Sequence, residues 1–288
     1  MPELSVLLCA KNAASTISAA VRSTLRALPG DGELVVLDDG STDDTLERLS
    51  AITDRRLRFM RSPENLGCAR ARAHLLAETD SKYIGIMDAD DICAPWRFSV
   101  QLRQLAHGAD LVVAPVVNFG PTRGRVRPGL PLSIGDAAMP LILLLGCPLS
   151  YPTLTVRRDA VVEAGEYSKA VAEDYVLYLR AVANGRRLRR GPVPVLAYRN
   201  HAGQASRDAT FRERAIAEGA VGQAYRDFVD AVFGLGRRSS VIVEGDVDGA
   251  LSKEELGAVL TSEVSARGIG DVQRRIVERY AKLVLGPS

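Results

Sequence analysis

A strand pattern that ends abruptly in carboxylates is the most distinctive chemistry in this sequence. Residues 83–91 read YIGIMDADD, so an apolar run is followed at once by Asp88, Asp90 and Asp91. Carboxylates this close repel one another, and burying them requires a cation or hydrogen-bond donors. Hard divalent cations prefer oxygen ligands of this kind. The motif indicates either a divalent-metal site or a polar turn, because a D-x-D pair alone does not separate the two.

Two further acidic pairs strengthen the interpretation as a site. Asp38 and Asp39 directly follow the apolar run 34–37, and Glu173 and Asp174 open a helical pattern at 173–184. In a parallel sheet, the acidic groups after residues 37 and 87 project from the same edge, where open α/β sheets bind ligands. Two acidic groups at one edge favour a divalent-metal or nucleotide site.

The elements that must position these groups alternate between strand and helix patterns. Apolar runs at 4–9, 34–37, 57–60 and 83–87 predict buried strands, and helical patterns that begin near residues 15, 42 and 65 lie between them. A helix follows Pro95, and Trp96 is expected to pack behind the acidic turn. Further strands are predicted at 111–117, 151–157 and 193–198, with Pro115 marking an edge or bulge. This alternation predicts a parallel α/β fold.

Composition narrows the class of protein. The chain of 288 residues is 47% hydrophobic and 25% charged, with a net charge of +2, so no nucleic-acid partner is expected. Its four cysteines form no C-x-x-C motif, which argues against structural zinc and predicts free thiols in a reducing cytoplasm. No apolar run approaches the ~18 residues of a membrane span, and the N-terminus lacks a signal-peptide pattern. The expected location is therefore the cytoplasm.

The sequence leaves the role of several segments open. One open question concerns an apolar segment and two basic ones: residues 141–145, the basic loop 120–131, and the arginines at 186, 187, 189 and 190. These segments either approach an anionic membrane or a lipid-diphosphate acceptor, or they form part of the core and of the solvated surface. The sequence favours core packing and a solvated face, with peripheral membrane contact as the alternative. After residue 206 the chain is predicted to be helical, with a hinge at 237–240. This extension either packs on the core or forms a homodimer.

A family resemblance rests on six motifs that follow one another between residues 3 and 206. They read SVLLCAKN, VVLDDGSTDDT, NLGCARAR, YIGIMDADD, AEDYVLYLR and YRNHAGQAS. In this order they resemble family 2 glycosyltransferases of the GT-A fold. The resemblance implies an α/β, Rossmann-like, mostly parallel central sheet flanked by helices, with a C-terminal helical extension. The expected parts are a nucleotide-sugar-binding half at 1–118, an acceptor-binding half of the same domain at 119–205, and the extension at 206–288.

The resemblance also implies how the donor would be held. Asp39 would contact the nucleotide base, usually uracil, while Asp38 supports its loop. Asp90 would bind Mn²⁺ or Mg²⁺ bridging the diphosphate, and Asp88 would bind the ribose or a metal-bound water. Ala10, Asn12 and Ala89 complete the implied nucleotide-binding set.

The remaining implied roles concern the acceptor side and the phosphates. Asp174 would act as general base toward the acceptor hydroxyl, with Glu173 in support. Arg72 would contact a phosphate or the acidic loop, and His201 would make a further metal or diphosphate contact. The sequence departs from the family pattern at Lys11, where an aromatic residue usually stacks on the base; the lysine could instead meet a phosphate.

Together these assignments imply an inverting glycosyltransferase. It would move a sugar from a nucleoside-diphosphate sugar, with UDP expected, to a carbohydrate or glycolipid acceptor in cell-surface polysaccharide or glycolipid synthesis. One alternative is a nucleotide-sugar-binding or partner-docking protein without turnover. Another is a phosphotransferase of the aspartyl-phosphate type, which would need Thr or Val where the chain has Ile92.

Overall fold

The computed structural model describes residues 2–120, 127–128, 131–165, 172–201, 214, 219–240 and 250–286. Within these residues the strands β1 to β13 are Leu4–Ala10, Glu33–Asp39, Leu57–Ser62, Tyr83–Asp88, Ile92–Cys93, Leu111–Val113, Val116–Phe119, Arg127–Pro128, Thr155–Arg157, Leu188–Arg190, Leu196–Arg199, Ser239–Ser240 and Ala250–Leu251. The helices α1 to α10 are Ile17–Ala27, Thr45–Ser50, Cys68–Ala77, Arg97–Ala106, Met139–Leu145, Arg158–Glu163, Glu173–Ala183, Ala220–Phe233, Lys253–Ala266 and Asp271–Leu285. A 3₁₀ turn occupies Tyr151–Thr153.

A seven-stranded sheet forms the centre of the fold, in the order β10-β6-β9-β4-β1-β2-β3. Only β9 runs antiparallel to its neighbours β4 and β6. The apolar runs of β1, β2 and β4 are almost wholly buried, since helices cover both faces of a parallel sheet. The predicted mostly parallel α/β sheet is thereby confirmed.

The register of the central strands brings the acidic groups to one edge. Cys9 of β1 pairs with Asp88 of β4, and the next residue, Ala10, pairs with Asp38 of β2. Parallel strands end at the same edge, so the two acidic groups flank the end of β1 on either side. The fold itself therefore builds the acidic edge that the sequence predicts.

Several predicted elements were wrong in detail. The strand expected at 111–117 is broken at Pro115, because β6 belongs to the central sheet and β7 to a second sheet of order β5-β11-β7-β8. The strand expected at 151–157 begins as the 3₁₀ turn and becomes extended only at Thr155. The hinge expected at 237–240 includes β12, which pairs with β13.

The apolar segment 141–145 packs in the core, as the sequence favoured. All of α5 is buried, and Tyr175 of α7 donates a hydrogen bond to the Leu143 carbonyl at 2.6 Å. Among the nearby arginines, Arg186 and Arg187 form ion pairs with Asp110, and Arg189 forms one with Asp136. Most of the basic loop at 120–131 lies outside the described residues.

The C-terminal helices pack on the central domain. Phe228 of α8 is fully buried, and Tyr225 donates a hydrogen bond to the Leu144 carbonyl at 2.8 Å. The side chain of Val277 in α10 is 1% exposed. Packing on the core is therefore the observed arrangement, whereas a homodimer stays a prediction. Among the described residues, no helix has both the length and the apolar character needed to cross a membrane.

Candidate active site

The loops that follow β1 and β2 are neighbours and are joined by hydrogen bonds. Asn12 has a φ of +49°, a left-handed conformation that asparagine tolerates better than most residues. Its Oδ1 accepts a hydrogen bond from the Thr42 amide at 2.9 Å, and its own amide donates to Ser41 Oγ at 2.9 Å. Lys11 is exposed beside it, whereas Ala10 is buried. The two loops are held as one unit beside the acidic edge.

Asp39 binds the backbone of the loop that leads into α3. Its carboxylate accepts hydrogen bonds from the Leu66 amide at 2.7 Å and the Gly67 amide at 3.0 Å. This close approach needs Gly40, because a Cβ there would lie 3.1 Å from the Asn65 nitrogen and its φ is +71°. Asp39 thus fixes the loop, and its predicted contact with a base stays a prediction.

Asp38 is fully buried beneath the same loop. Its Oδ1 accepts from the Ser41 amide at 3.2 Å. Its Oδ2 has no hydrogen-bond partner among the described residues, and Arg61 Nε lies 3.8 Å away. The predicted supporting role agrees with the first contact. The second oxygen keeps unused accepting capacity.

The acidic turn gathers three carboxylates. Ligand oxygens of Asp88, Asp90 and Asp91 all lie within 4.8 Å of one another. Burial raises the pKa of Asp88, an effect that the Arg72 guanidinium partly offsets. Burial, followed by the charge of Asp88, raises the pKa of Asp91 to about 8. Ionising all three carboxylates together is therefore energetically costly, and a bound cation would lower that cost.

The donor set fits a hard divalent ion. Asp91 is fully buried, and its Oδ2 has no hydrogen-bond partner among the described residues. An unsatisfied buried carboxylate oxygen beside two more carboxylates suits the oxygen coordination of Mg²⁺ or Mn²⁺. His201 Nε2 lies 2.8 Å from Asp90 Oδ2, so it contacts a predicted ligand of the ion. Its own role as a metal ligand stays a prediction.

Arg199 ties β11 to the acidic turn, a contact that the sequence did not reveal. The Arg199 amide donates to Asp91 Oδ1 at 2.8 Å, and its Nε donates to the Asp90 carbonyl at 2.7 Å. The only sequence signal was its position two residues before His201. More than a hundred residues separate the partners, so only the folded chain shows the pairing.

Arg72 joins the acidic turn to the start of α7. Its Nη2 lies 3.3 Å from Asp88 Oδ1, and its Nη1 is hydrogen-bonded to Glu173 Oε1. Its guanidinium carbon also lies 4.8 Å from the centre of the Tyr151 ring, a cation–π geometry. Of the predicted alternatives, the contact with the acidic loop is present. Tyr151 is a site residue that the sequence reasoning missed.

Asp174 occupies the first turn of α7, next to Glu173. Its Oδ1 accepts from the Tyr175 amide at 2.8 Å, which fixes the carboxylate at the helix N-terminus. Burial raises the pKa of Asp174, whereas the Tyr175 amide and then Arg72 act in the opposite direction. A raised pKa makes a carboxylate a better proton acceptor. Its predicted role as base therefore has chemical support and stays a prediction.

The helix after the acidic turn differs from expectation. Trp96 is 50% exposed and donates to the Pro194 carbonyl, so the prediction that it packs behind the turn was wrong. Arg97 is fully buried there instead. It donates to the carbonyls of Ile86 at 2.6 Å and Leu154 at 3.2 Å. A buried guanidinium thus lies behind the strand that carries Asp88, while Ala89 is half-buried in the turn.

The fold therefore brings together most of the predicted site residues. The end of β4 gathers Asp88, Asp90 and His201, and Arg72 connects this group to Glu173 and hence to neighbouring Asp174. Asp38 and Asp39 lie at the adjacent strand end. The site is an acidic sheet edge flanked by Arg72 and Arg199.

Comparisons with known proteins agree with this architecture. Residues 5–164 match the description of glycosyl transferase family 2. The succinoglycan biosynthesis protein ExoU of Rhizobium meliloti is 34% identical over 203 residues, which span 64% of this chain and 58% of ExoU. Escherichia coli WfaP, named a UDP-Glc:alpha-D-GlcNAc-diphosphoundecaprenol beta-1,3-glucosyltransferase, is 28% identical over 72% of this chain and 80% of its own.

The structural comparison concerns the fold. A solved structure of S. aureus TarS in complex with UDP-GlcNAc matches with a TM-score of 0.63 and 17% identity. The match covers 98% of this chain and 92% of the TarS chain, so the GT-A fold is shared along almost the whole length. Because the family match covers more than half of the sequence, the chain belongs to glycosyl transferase family 2.

Proposed function

We propose that the chain is an inverting glycosyltransferase that uses a nucleoside-diphosphate sugar. The observation that carries the proposal is the set of three carboxylates within 4.8 Å at the end of β4, joined through Arg72 to the helix that begins with Glu173 and Asp174. Relatives named for polysaccharide and glycolipid steps, and a fold shared with a UDP-GlcNAc-binding protein, support a UDP-sugar donor.

The chemistry follows from the charge that develops on the leaving group. A divalent ion at the acidic turn, Mn²⁺ or Mg²⁺, would stabilise the departing diphosphate as a Lewis acid. Asp90 and Asp91 offer carboxylate oxygens to hold the ion, and His201 orients Asp90 through its 2.8 Å contact. Asp38, Asp39 and the Asn12 loop would line the nucleoside.

The transfer itself needs one base on the acceptor side. The acceptor oxygen forms a bond to the anomeric carbon while the bond to the diphosphate breaks, and the electron pair leaves on the phosphate oxygen. The hydroxyl proton passes to Asp174. A single displacement inverts the anomeric centre and needs no covalent intermediate, unlike a retaining hydrolase with two carboxylates across the bond. Glu173, paired with Arg72, holds the start of α7 in place.

The first experiment separates turnover from binding alone. Thermal shift with a panel of nucleotide sugars and Mn²⁺ identifies the donor, because a bound ligand stabilises the fold. We expect Asp174→Asn to keep donor-dependent stabilisation but to lose transfer or donor hydrolysis by about a hundredfold or more. Asp31→Asn, an exposed aspartate before β2, is the control. Unchanged turnover in Asp174→Asn refutes the assigned base.

The second experiment tests the metal. We expect Asp90→Asn, or the wild-type chain in EDTA, to lose most of its affinity for the donor diphosphate. Donor affinity that is indifferent to EDTA contradicts the ion. If the donor binds but no acceptor or water ever receives the sugar, the chain is a binding protein.

A further inference from the structure

A cavity lies against the C-terminal helix α10, and its described lining includes none of the residues of the acidic turn. It has a volume of about 510 Å³. One wall is a single face of α10, formed by Val272, Arg275, Ile276, Arg279, Tyr280 and Leu283. The facing wall includes Ile142 of α5, Pro148 and Leu149. The cavity is thus bounded by the helical extension on one side and by the central domain on the other.

The face of α10 that lines the cavity is apolar but open to water. Residues at spacings of three, four, seven, eight and eleven lie on one side of a helix. Val272 is 70% exposed and Leu283 is 75% exposed, more than any other large hydrophobic side chain in the described residues. Buried Val277 and the 3.1 Å bond from the Gly135 amide to Gln273 hold the helix against the domain. Such exposure is typical of a binding surface.

The charges of α10 are sorted between two faces. Arg274 pairs with Asp271 at 2.9 Å and with Glu278 at 3.9 Å on the face turned away from the cavity. Arg275 and Arg279 line the cavity, and within the described part of the chain no carboxylate lies within ion-pair distance of them. None of the described lining residues is acidic. An apolar cavity with a cationic rim is complementary to an anionic amphiphile.

The facing wall contributes a third arginine. Arg190 of β10 lines the cavity and donates a hydrogen bond to the carbonyl of Leu132, another lining residue. Burial lowers the pKa of Arg190, as expected for a cation partly removed from water.

A short segment connects this cavity to the proposed site of transfer. Pro148 and Leu149 line the cavity, and two residues later the Tyr151 ring stacks on Arg72, which contacts Asp88. Burial and then the nearby Asp174 carboxylate raise the pKa of the Cys147 thiol. Burial and then Cys147 raise the pKa of Tyr280, in the cavity wall, to about 12. Cys147 is therefore within electrostatic range of both the proposed base and Tyr280 in the cavity wall.

We propose that this cavity binds the apolar chain and phosphate of a lipid-linked acceptor, with the phosphate on Arg275 and Arg279 and the sugar directed toward Asp174. The proposal rests on the proposed function and adds the class of acceptor to it. The chain of the lipid would pack on Val272 and Leu283, which covers the apolar surface that α10 leaves in water. The arrangement separates recognition of the lipid from the chemistry at the acidic turn.

The test uses farnesyl phosphate as the probe and the full chain in EDTA, so that a metal at the acidic turn cannot hold the phosphate. Farnesol and inorganic phosphate, which carry only the chain or only the charge, should each bind much more weakly. We expect the double variant Arg275→Ala/Arg279→Ala to weaken binding of farnesyl phosphate about thirtyfold. Arg274→Ala, the neighbour on the opposite face, should bind like wild type. Leu283→Ser should weaken binding about tenfold or more.

The remaining outcomes are distinguishable. Equal loss in Arg274→Ala, or no loss in the double variant, overturns the assigned phosphate contacts. A different result would be that farnesyl phosphate does not bind but the chain sediments with vesicles of phosphatidylcholine and phosphatidylglycerol at about 70:30. In that case the face docks on membranes and the acceptor proposal is wrong. Donor-dependent thermal shift is measured separately for wild type and every variant, in the presence of Mn²⁺ and without EDTA. Failure of farnesyl phosphate with donor binding intact refutes this inference alone, whereas loss of donor binding in wild type refutes the proposed function.

Discussion

Removing Arg72 is the sharpest test of how the site is held together. The side chain is 10% exposed and pairs with Glu173, whose side chain is also 10% exposed, and with Asp88, whose side chain is 33% exposed. In Arg72→Met the two carboxylates lose their shared cation and remain largely dehydrated. We therefore expect the protein to be less stable, and the start of α7 to move relative to the acidic turn.

The magnitude follows from the burial of the three groups. Removing one partner of a buried ion pair costs about 3–5 kcal/mol, and the partial exposure of Asp88 places Arg72→Met near the lower limit, at about 3 kcal/mol. Glu173→Gln keeps an accepting oxygen and leaves Asp88 paired, so it should cost about 1–2 kcal/mol. Both single variants break the same contact, between Arg72 and Glu173. The double variant should therefore be more stable, by about 1–2 kcal/mol, than the sum of the two single losses in unfolding free energy predicts.

The assay is urea unfolding followed by far-UV circular dichroism, with Arg274→Met as the matched control. Within the described part of the chain, the ion pairs of Arg274 are with exposed carboxylates of α10, so its replacement should change the free energy of unfolding by less than about 1 kcal/mol. The reasoning is refuted if Arg72→Met costs no more than Arg274→Met. It also fails if the Arg72 and Glu173 effects add within about 0.3 kcal/mol, because residues that do not share a contact behave in that way.

Three further perturbations follow from single features. Burial raises the pKa of Asp174, so kcat at saturating donor should fall as the pH drops through a value above the ordinary ~3.9 of aspartate. If kcat does not fall at low pH, Asp174 is not the base. Ser252→Ala removes the capping box of α9 and should cost about 1 kcal/mol in urea unfolding; no change contradicts the cap. Gly85→Ala places a Cβ 3.2 Å from both Phe98 and Val6, so it should lower the free energy of unfolding by about 1–3 kcal/mol. An unchanged urea midpoint would show that the added methyl group is not overpacked.

The acidic edge could be predicted from sequence because it depends on local patterns and one topological rule. Buried apolar runs predict parallel strands, and parallel strands end at one edge, so Asp38 and Asp88 were expected at the same edge of the sheet. The pairing of Ala10 with Asp38 and of Cys9 with Asp88 confirms that step. No knowledge of side-chain contacts was needed.

Contacts between distant segments could not be predicted in this way. Arg72 and Glu173 are 101 positions apart, and Arg199 and Asp91 are 108 apart. Periodicity on a helix also does not say which of two adjacent residues enters the core. Trp96 has the more apolar side chain, yet Arg97 is buried because the carbonyls of Ile86 and Leu154 satisfy its donors.

The antiparallel strand β9 shows the same limit at the level of topology. Its sequence predicts a strand but carries no sign of direction, which depends on where the preceding segment returns to the sheet. Here the 3₁₀ turn at Tyr151–Thr153 brings the chain back beside β4, and Thr153 donates to the Ala114 carbonyl at 3.2 Å. The same return places the Tyr151 ring against Arg72.

The cations around the acidic turn explain how three carboxylates can share one edge before any ion binds. Arg72 lies on the Asp88 side at 3.3 Å, and Arg199 bonds the turn from β11 through the Asp90 carbonyl and the Asp91 carboxylate. Arg97 adds a buried positive charge behind the strand. The loop geometry is therefore supported by protein contacts on three sides. A divalent ion would enter a preorganised oxygen set, because its ligands do not have to be gathered from flexible positions.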